Sequence, residues 1–187
     1  ANQLNASQEC RVPDLSGEHI QAHVAAALAE DIGEGDVTTN ALVDAQRRCQ
    51  GHIVSREPLN YCGRDLIESV FQRLDAEAVI THFHSDGDEV PAGAIIATID
   101  ASARALLTGE RTALNYAQRL SGVATQAARY VAAVSGTGVL LLDTRKTTPG
   151  WRDLEKYAVQ CGGARNHRHG LDDMVMIKDN HLAALQG

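Results

Sequence analysis

The sequence predicts an α/β protein that contains a βαβ unit, in which two parallel strands flank one helix. Two apolar runs support this prediction, because residues 139–142 and 174–177 have the length and branching of fully buried parallel strands. Between the runs, residues 153–161 show the pattern of a helix of at least two turns. Asp143 and Lys178 directly follow the two runs, at the strand ends where α/β barrels place their chemistry.

Basic residues concentrate in this unit, although the chain as a whole is acidic. Between residues 145 and 168 there are six Lys or Arg against two Asp or Glu, a local balance of +4 in a chain of formal charge -7. Such groups bind carboxylates and phosphates through charge-assisted hydrogen bonds. We expect a polyanion pocket from the cations near the strand ends, namely Arg145, Lys146, Arg168 and Lys178. Arg152 and Lys156, four residues apart, are expected on a solvated helix face.

Composition favours a soluble protein of the cytoplasm. No apolar stretch approaches the roughly 18 residues that a membrane span requires, and the first fifteen residues lack the basic start and apolar centre of a signal peptide. The net charge of -7 argues against nucleic acid as a partner. The cysteines have no CxxC or zinc-type spacing, so we expect free thiols in a reducing compartment. They are Cys10, Cys49, Cys62 and Cys161.

The first predicted element along the chain is a helix that follows Ser16 as its N-cap and ends before Gly33. Its apolar face consists of Ile20, Val24, Ala27 and Leu28. The acidic residues between positions 30 and 36 suggest a metal loop, but their spacing does not fit an EF-hand. A turn in which Asp36 caps Thr38 or Thr39 is therefore favoured.

A strand over residues 50–56, a helix and a strand-turn-strand segment over residues 78–99 follow. The inward face of the helix is predicted to consist of Leu66, Ile67, Val70, Phe71 and Leu74. The turn SDGDEVPAGAII is typical of biotinyl- or lipoyl-carrier hairpins, so a carrier module is an alternative, although the turn has no lysine for a prosthetic group. His82 and His84 share a strand face, for which an ordinary exposed face is favoured over half a metal site.

Residues 103–134 have a helical pattern, with Ser121-Gly122 as the predicted break between two helices. On helical spacing alone, Arg111 is a surface residue. Cys161 is predicted to end the later helix at a Gly-Gly pair. His167 is expected on a tight loop in the substrate pocket, while its use as a general acid or base stays open.

Five motifs carry a family resemblance: GERTALNYAQRLSG, DTRKTTPG, KYAVQCGG, NHRHGL and IKDNH. In this order and spacing they resemble quinolinate phosphoribosyltransferase, and the match runs from about Leu28 to the last residue. The resemblance implies an N-terminal α+β domain over residues 1–109. It also implies a parallel α/β barrel that begins at residue 110 and is incomplete at residue 187, since two strands cannot close a barrel. We therefore expect a longer protein.

The resemblance also implies an activity and its residues. Phosphoribosyl transfer from phosphoribosyl pyrophosphate to quinolinate, with decarboxylation, gives nicotinate mononucleotide, pyrophosphate and CO2. Lys146 would face the phosphoribosyl donor and, with His167, serve catalysis, and Mg2+ would bind through residues beyond Gly187. The two carboxylates of quinolinate would be held by Arg145, His167, Arg168, Lys178 and Arg111, the last from the neighbouring subunit of a homodimer or larger oligomer. The alternatives are a transferase of the same fold for another anionic ring, such as nicotinate, and a non-enzymatic carrier or binding module.

Overall fold

The computed structural model describes residue 13 and residues 15–185. The helices are α1 (Gly17–Ile32), α2 (Val37–Leu42), α3 (Arg64–Leu74), α4 (Ala103–Ala133), α5 (Arg152–Cys161) and α6 (Asp179–Leu185). The strands are β1 (Arg48–Val54), β2 (Leu59–Asn60), β3 (Val79–His82), β4 (Glu89–Val90) and β5 (Ile95–Ser102). Among these helices, none has the length and apolar character needed to cross a membrane. Cys10 lies outside the described residues.

A three-stranded antiparallel sheet in the order β1-β5-β3 forms the centre of the N-terminal part. The strand predicted over residues 50–56 is confirmed as β1, two residues earlier, and the strand-turn-strand segment supplies β3, β4 and β5. The short strands β2 and β4 form a second antiparallel pair. Helices α1, α3 and α4 contribute most of the buried side chains that pack with this sheet into one hydrophobic core.

The predicted caps and apolar faces of the first helices are confirmed. Ser16 accepts a hydrogen bond from the backbone amide of His19 at the start of α1, and Gly33 ends the helix with φ +54°. Asp36 caps α2 through the amide of Thr39 at 2.9 Å, so the acidic segment is a capped turn. In α3, the buried face consists of Leu66, Ile67, Val70 and Phe71, with Leu74 partly buried.

Helix α4 runs without interruption for 31 residues, so the predicted break at Ser121-Gly122 is wrong. The hydroxyl of Ser121 accepts from the amide of Cys62 at 3.0 Å and donates to its carbonyl oxygen at 3.2 Å. The serine thus satisfies a buried turn of another segment and leaves its own helix intact. Glycine costs about 1 kcal/mol in a helix interior, which tertiary packing along 31 residues outweighs.

The two halves of α4 pack on different partners. A Cβ built on Gly109 would lie 2.8 Å from a methyl group of Leu74, so this glycine lets α4 approach α3 closely. In the second half of α4, the carbonyl oxygen of Ala124 would overlap with a Cβ built on Gly162, the residue directly after α5. Helix α5 therefore also approaches α4 closely. The helix therefore continues through the predicted domain boundary near Gly109 and joins the sheet domain to the segment that carries the basic motifs.

The prediction of two fully buried strands at residues 139–142 and 174–177 is wrong. Both segments are irregular apart from an isolated bridge at Leu142, and Val139 and Val175 are 59% and 88% exposed. A parallel strand is buried only when neighbouring strands and helices cover it. Among the described residues, the strand pairing of these segments is limited to one bridge between Leu142 and Arg165, so neither segment has the strand neighbours that bury a parallel strand.

Candidate active site

Two segments with basic side chains lie side by side. The amide of Arg165 donates to the carbonyl of Leu141, and the amide of Asp143 donates to the carbonyl of Arg165, both at 3.0 Å, in a parallel bridge. The parallel partner of the first segment is therefore the stretch directly after α5, and not residues 174–177 as the sequence predicts. Because parallel chains end at the same edge, the side chains of Arg145 and His167 emerge from adjacent segments.

The side chain of Asp143 is the centre of a buried network between these segments. It accepts hydrogen bonds from the ammonium group of Lys156 at 2.7 Å, from the amide of His167 at 2.7 Å and from the side chain of Asn166 at 2.6 Å. Lys156 also donates to the carbonyl of His167 at 3.2 Å. The side chains of Lys156 and Asp143 are 1% and 5% exposed.

The prediction that Lys156 belongs to a solvated helix face is therefore wrong. A lysine is buried only with a partner that compensates its charge, and Asp143 is that partner. The sequence does not show the pairing, because the two residues are thirteen positions apart and meet only when α5 packs beside residues 141–143. Arg152 is partly buried and donates to the hydroxyl of Thr147 and to the carbonyl of His169.

A second network holds the far end of the loop formed by residues 143–148, which begins at Asp143. The carboxylate of Glu155 accepts from the amide of Thr148 at 3.1 Å, from its hydroxyl at 2.7 Å and from the guanidinium of Arg119 on α4 at 2.7 Å. Burial raises the pKa of the Glu155 carboxyl, but the hydrogen bonds from Arg119 and Thr148 together outweigh this effect. The pKa therefore lies below its usual value. Glu155 is accordingly an anion at neutral pH.

An aromatic group connects α1 to the end of this loop. His23 lies 3.0 Å from the hydroxyl of Tyr116 and donates or accepts there according to its tautomer, while its Nε2 lies 2.9 Å from the carbonyl oxygen of Gly150. The ring of Trp151 stacks on Tyr116 with 5.1 Å between centroids. Helix α1 thus contacts residues 150 and 151, which closely follow the loop that carries Arg145 and Lys146.

The predicted pocket residues Arg145 and Arg168 occupy different surroundings. The Nε of Arg145 is buried and has no hydrogen-bond partner within the part of the chain that the structure describes. Arg168 is buried, and its Nη1 donates to the carbonyl of Met174 at 3.0 Å. A buried guanidinium N–H without a partner is costly, so this N–H can still take a hydrogen-bond acceptor.

The other predicted site residues are more exposed. Lys146 lines a cavity of 280 Å³ between the loop, α4 and α5, together with Asp143, Thr144 and Glu155. His167 is partly buried and lies on an irregular segment; its amide and carbonyl belong to the Asp143 network. Lys178, before α6, and Arg111, on α4, are both exposed, and the described contacts do not join either of them to this cavity.

Neither of the metal sites considered from the sequence has a matching arrangement. No cluster of three or more His, Cys, Asp or Glu suited to a metal ion occurs in residues 13 and 15–185. The carboxylates nearest the cavity, Asp143 and Glu155, are already occupied by Lys156, Arg119 and Thr148. The side chain of His82 is 3% exposed and lies 3.6 Å from Glu68, so the predicted exposed strand face is also wrong there.

Comparison with known proteins gives two family matches. Residues 36–121 match the N-terminal domain, and residues 123–187 the C-terminal domain, of quinolinate phosphoribosyl transferase. The chain is 46% identical over 157 residues to a probable nicotinate-nucleotide pyrophosphorylase [carboxylating] of Synechocystis, covering 84% of this chain and 53% of that protein. A Bacillus subtilis protein with the same description is 45% identical over 155 residues, with 83% and 53% covered.

Solved structures give a similar result. The fold is similar to that of nicotinate-nucleotide pyrophosphorylase from Francisella tularensis, with a TM-score of 0.88 and 39% identity, over 95% of this chain and 64% of that one. The corresponding protein from Ehrlichia chaffeensis has a TM-score of 0.84 and 39% identity, over 88% and 60%. The chain spans about half the length of the curated relatives that it matches.

Proposed function

Because the chain belongs to the quinolinate phosphoribosyltransferase family, we propose that it binds quinolinate and phosphoribosyl pyrophosphate for phosphoribosyl transfer with decarboxylation, in NAD biosynthesis. The observation that carries this proposal is the buried Nε of Arg145, which has no partner among the described residues. It lies on a loop that two buried carboxylates fix in place. Quinolinate supplies adjacent carboxylates that such a group binds through charge-assisted hydrogen bonds.

The charge balance of the site supports a substrate with several negative charges. Salt bridges at the loop pair Lys156 with Asp143 and Arg119 with Glu155. The salt bridges of the described residues do not include Arg145, Lys146 or Arg168. We assign Arg145, Arg168 and His167 to the ring carboxylates and Lys146 to the donor. Lys178 and, from a neighbouring subunit, Arg111 complete the proposed quinolinate site.

In the proposed reaction, the ring nitrogen of quinolinate attacks the anomeric carbon of the donor ribose and pyrophosphate leaves. The transition state has oxocarbenium character, so fixed charges and orientation provide the catalysis and no enzyme nucleophile is needed. The bond to the 2-carboxylate then breaks, CO2 leaves, and the positively charged ring stabilises the electron pair until C2 takes a proton. Cations that bind the departing carboxylate too tightly would slow this step.

Calorimetric titration of the purified chain with quinolinate, and with nicotinate as the ligand with one carboxylate, tests this proposal. We expect quinolinate to bind at least about tenfold more tightly, because a second carboxylate adds a charge-assisted contact of about 1.5–3 kcal/mol. Equal affinities in a chain shown to be folded would favour a transferase for a ring with one carboxylate. A carrier module predicts that neither ligand binds.

We also propose a homodimer in which Arg111 reaches the neighbouring site. Support comes from the face around Arg111: Leu107 lies one turn away on α4 and is 51% exposed, and Val37 and Leu42 of the adjacent α2 are also exposed. The core of a homodimer interface is more apolar than the rest of the surface, and arginine is enriched at interfaces. Arg104 fixes α2 against α4 by donating to the carbonyl of Val43 at 2.8 Å.

Sedimentation of a Leu107→Lys variant tests the dimer. We expect the variant to be monomeric, because a buried lysine without a partner disfavours the interface. Val79→Lys is the matched control, since Val79 is an exposed valine on β3 and the change adds the same charge. A Leu107→Lys chain that sediments like the unaltered chain would contradict this interface.

We also propose that the activity requires Mg2+, which would bind the pyrophosphate group of the donor. The described residues do not include a group of three or more His, Cys, Asp or Glu suited to this ion. A cytoplasmic location is also proposed. Its support is that Cys49, Cys62 and Cys161 are free thiols, as is usual in a reducing compartment.

A further inference from the structure

We propose that Glu155 and Lys156 are positioning residues for the substrate pocket, which hold the two ends of the loop formed by residues 143–148. This inference rests on the proposed function, because the loop carries Arg145 and Lys146. Neither residue is assigned to the substrate; each acts through the loop. Consecutive residues of a helix point about 100° apart, so these two neighbours on α5 reach different ends of the loop.

Lys156 holds the first end. Its ammonium group lies 2.7 Å from Asp143 and 3.2 Å from the carbonyl of His167, and Asp143 in turn accepts from the amide of His167. One buried lysine therefore fixes both chain segments that carry the proposed carboxylate ligands Arg145 and His167. The spacing between these segments is set by this ion pair and by the backbone bridge at Arg165.

Glu155 holds the second end. It accepts both the amide and the hydroxyl of Thr148, and its ion pair with Arg119 connects the loop to α4. Arg119 also donates to the hydroxyl of Thr148 at 3.1 Å. Between the two ends lies Arg145, whose Nε has no partner in the described chain. The two networks hold the loop backbone on both sides of Arg145, and they therefore fix the position from which its side chain extends.

The sequence makes this arrangement hard to detect, because Glu155 and Lys156 resemble an ordinary charged pair on a helix surface. Both are buried in the structure. If they served only the stability of α5, partners within the helix would be sufficient. Instead, every hydrogen bond that the structure gives to their charged groups leads to the loop, to the segment after α5 or to α4.

The experiment compares Glu155→Gln with Asp75→Asn. Both changes replace a carboxylate by an amide of equal size, but Asp75 accepts from the amides of Ser102 and Glu77 in the N-terminal sheet region, away from the loop. Two readouts are measured on the purified chain: hydrogen exchange of the Thr148 amide by NMR without ligand, and quinolinate affinity by calorimetry. Thr148→Val is a milder second variant, which removes the hydroxyl but keeps the amide.

We expect Glu155→Gln to exchange the Thr148 amide about tenfold faster and to bind quinolinate about tenfold more weakly, because a charge-assisted contact becomes neutral. Thr148→Val should weaken binding in the same direction but less, and Asp75→Asn should change neither readout. Exchange and affinity that stay the same in Glu155→Gln and Thr148→Val would overturn the positioning role. Faster exchange in a series whose unaltered chain does not bind quinolinate would support the holding of the loop and overturn the proposed function.

Discussion

Replacing Lys156 by Met removes a buried charge while keeping an unbranched side chain of similar length. The carboxylate of Asp143, 5% exposed, then loses its cation. Removing one partner of a buried ion pair typically costs about 3–5 kcal/mol. Because Asn166 and His167 still donate to Asp143 at 2.6 and 2.7 Å, we expect the lower end, a loss of about 3 kcal/mol in the free energy of unfolding.

Urea unfolding at pH 7 measures this loss. Trp151, the only tryptophan of the chain, lies directly before α5 and reports on this region by fluorescence, and circular dichroism follows the whole chain. Lys146→Met is the matched control: it is the same change at an exposed lysine of the same loop, and it should stay within about 0.5 kcal/mol. Adding Asp143→Asn to Lys156→Met should recover about 1 kcal/mol or more, because the uncompensated charge disappears.

Either of two results would contradict a stabilising ion pair between Lys156 and Asp143. A Lys156→Met variant that loses less than about 1 kcal/mol would show that the Asp143 carboxylate does not depend on this cation, because a buried charge that loses a necessary partner is strongly destabilising. A double variant less stable than Lys156→Met alone would show that Asp143 matters through its hydrogen bonds to Asn166 and His167 and not through its charge.

Three further predictions concern the helices, the pocket and pH. Gly122→Ala should stabilise the chain by about 0.5–1 kcal/mol, because the new methyl group meets no atom within 4 Å. Gly162→Ala should instead cost about 1–3 kcal/mol, because its methyl group would overlap with α4. Urea unfolding measures both changes in the free energy of unfolding. In calorimetry, Arg145→Met should weaken quinolinate at least about tenfold, and Arg129→Met, at an exposed arginine of α4, should leave the affinity unchanged. The contribution of the Glu155 carboxylate to the free energy of unfolding should be fully present above pH 4.5, the usual pKa of a glutamate, and should be lost as the pH falls through the lower pKa of the folded chain. Glu155→Gln should therefore reduce the loss of stability at acidic pH, as measured by urea unfolding.

Local signals predicted the N-terminal part well. Ser16 and Asp36 cap helices through amides three residues away, and Gly33 directly follows the helix that it ends. The apolar faces of α1 and α3 follow from helical spacing alone. These features depend on residues at most four positions apart, which the sequence shows directly. The strand-turn-strand segment was predictable for the same reason, although its register was not.

The predictions that failed all depended on distant partners. Ser121 looked like a break, and only its hydrogen bonds with Cys62 explain why it belongs inside a helix. The stretch around Arg165 has no apolar run, so its parallel bridge to Leu142 could not be inferred from composition. His82 appeared exposed because its strand alternates, but helix α3 covers that face through Glu68.

The sequence by itself determined the family, the helical N-terminal elements and the identity of the basic residues, because motifs, caps and periodicity are local. Tertiary structure alone decided which of those cations have a charged partner within the described chain. Lys156 is neutralised by Asp143, and Arg119 by Glu155, whereas Arg145 keeps a buried N–H without a partner in the described chain. The physical reason is that a buried charge needs a partner close in space, and that partner is chosen by how α4, α5 and the loop pack together.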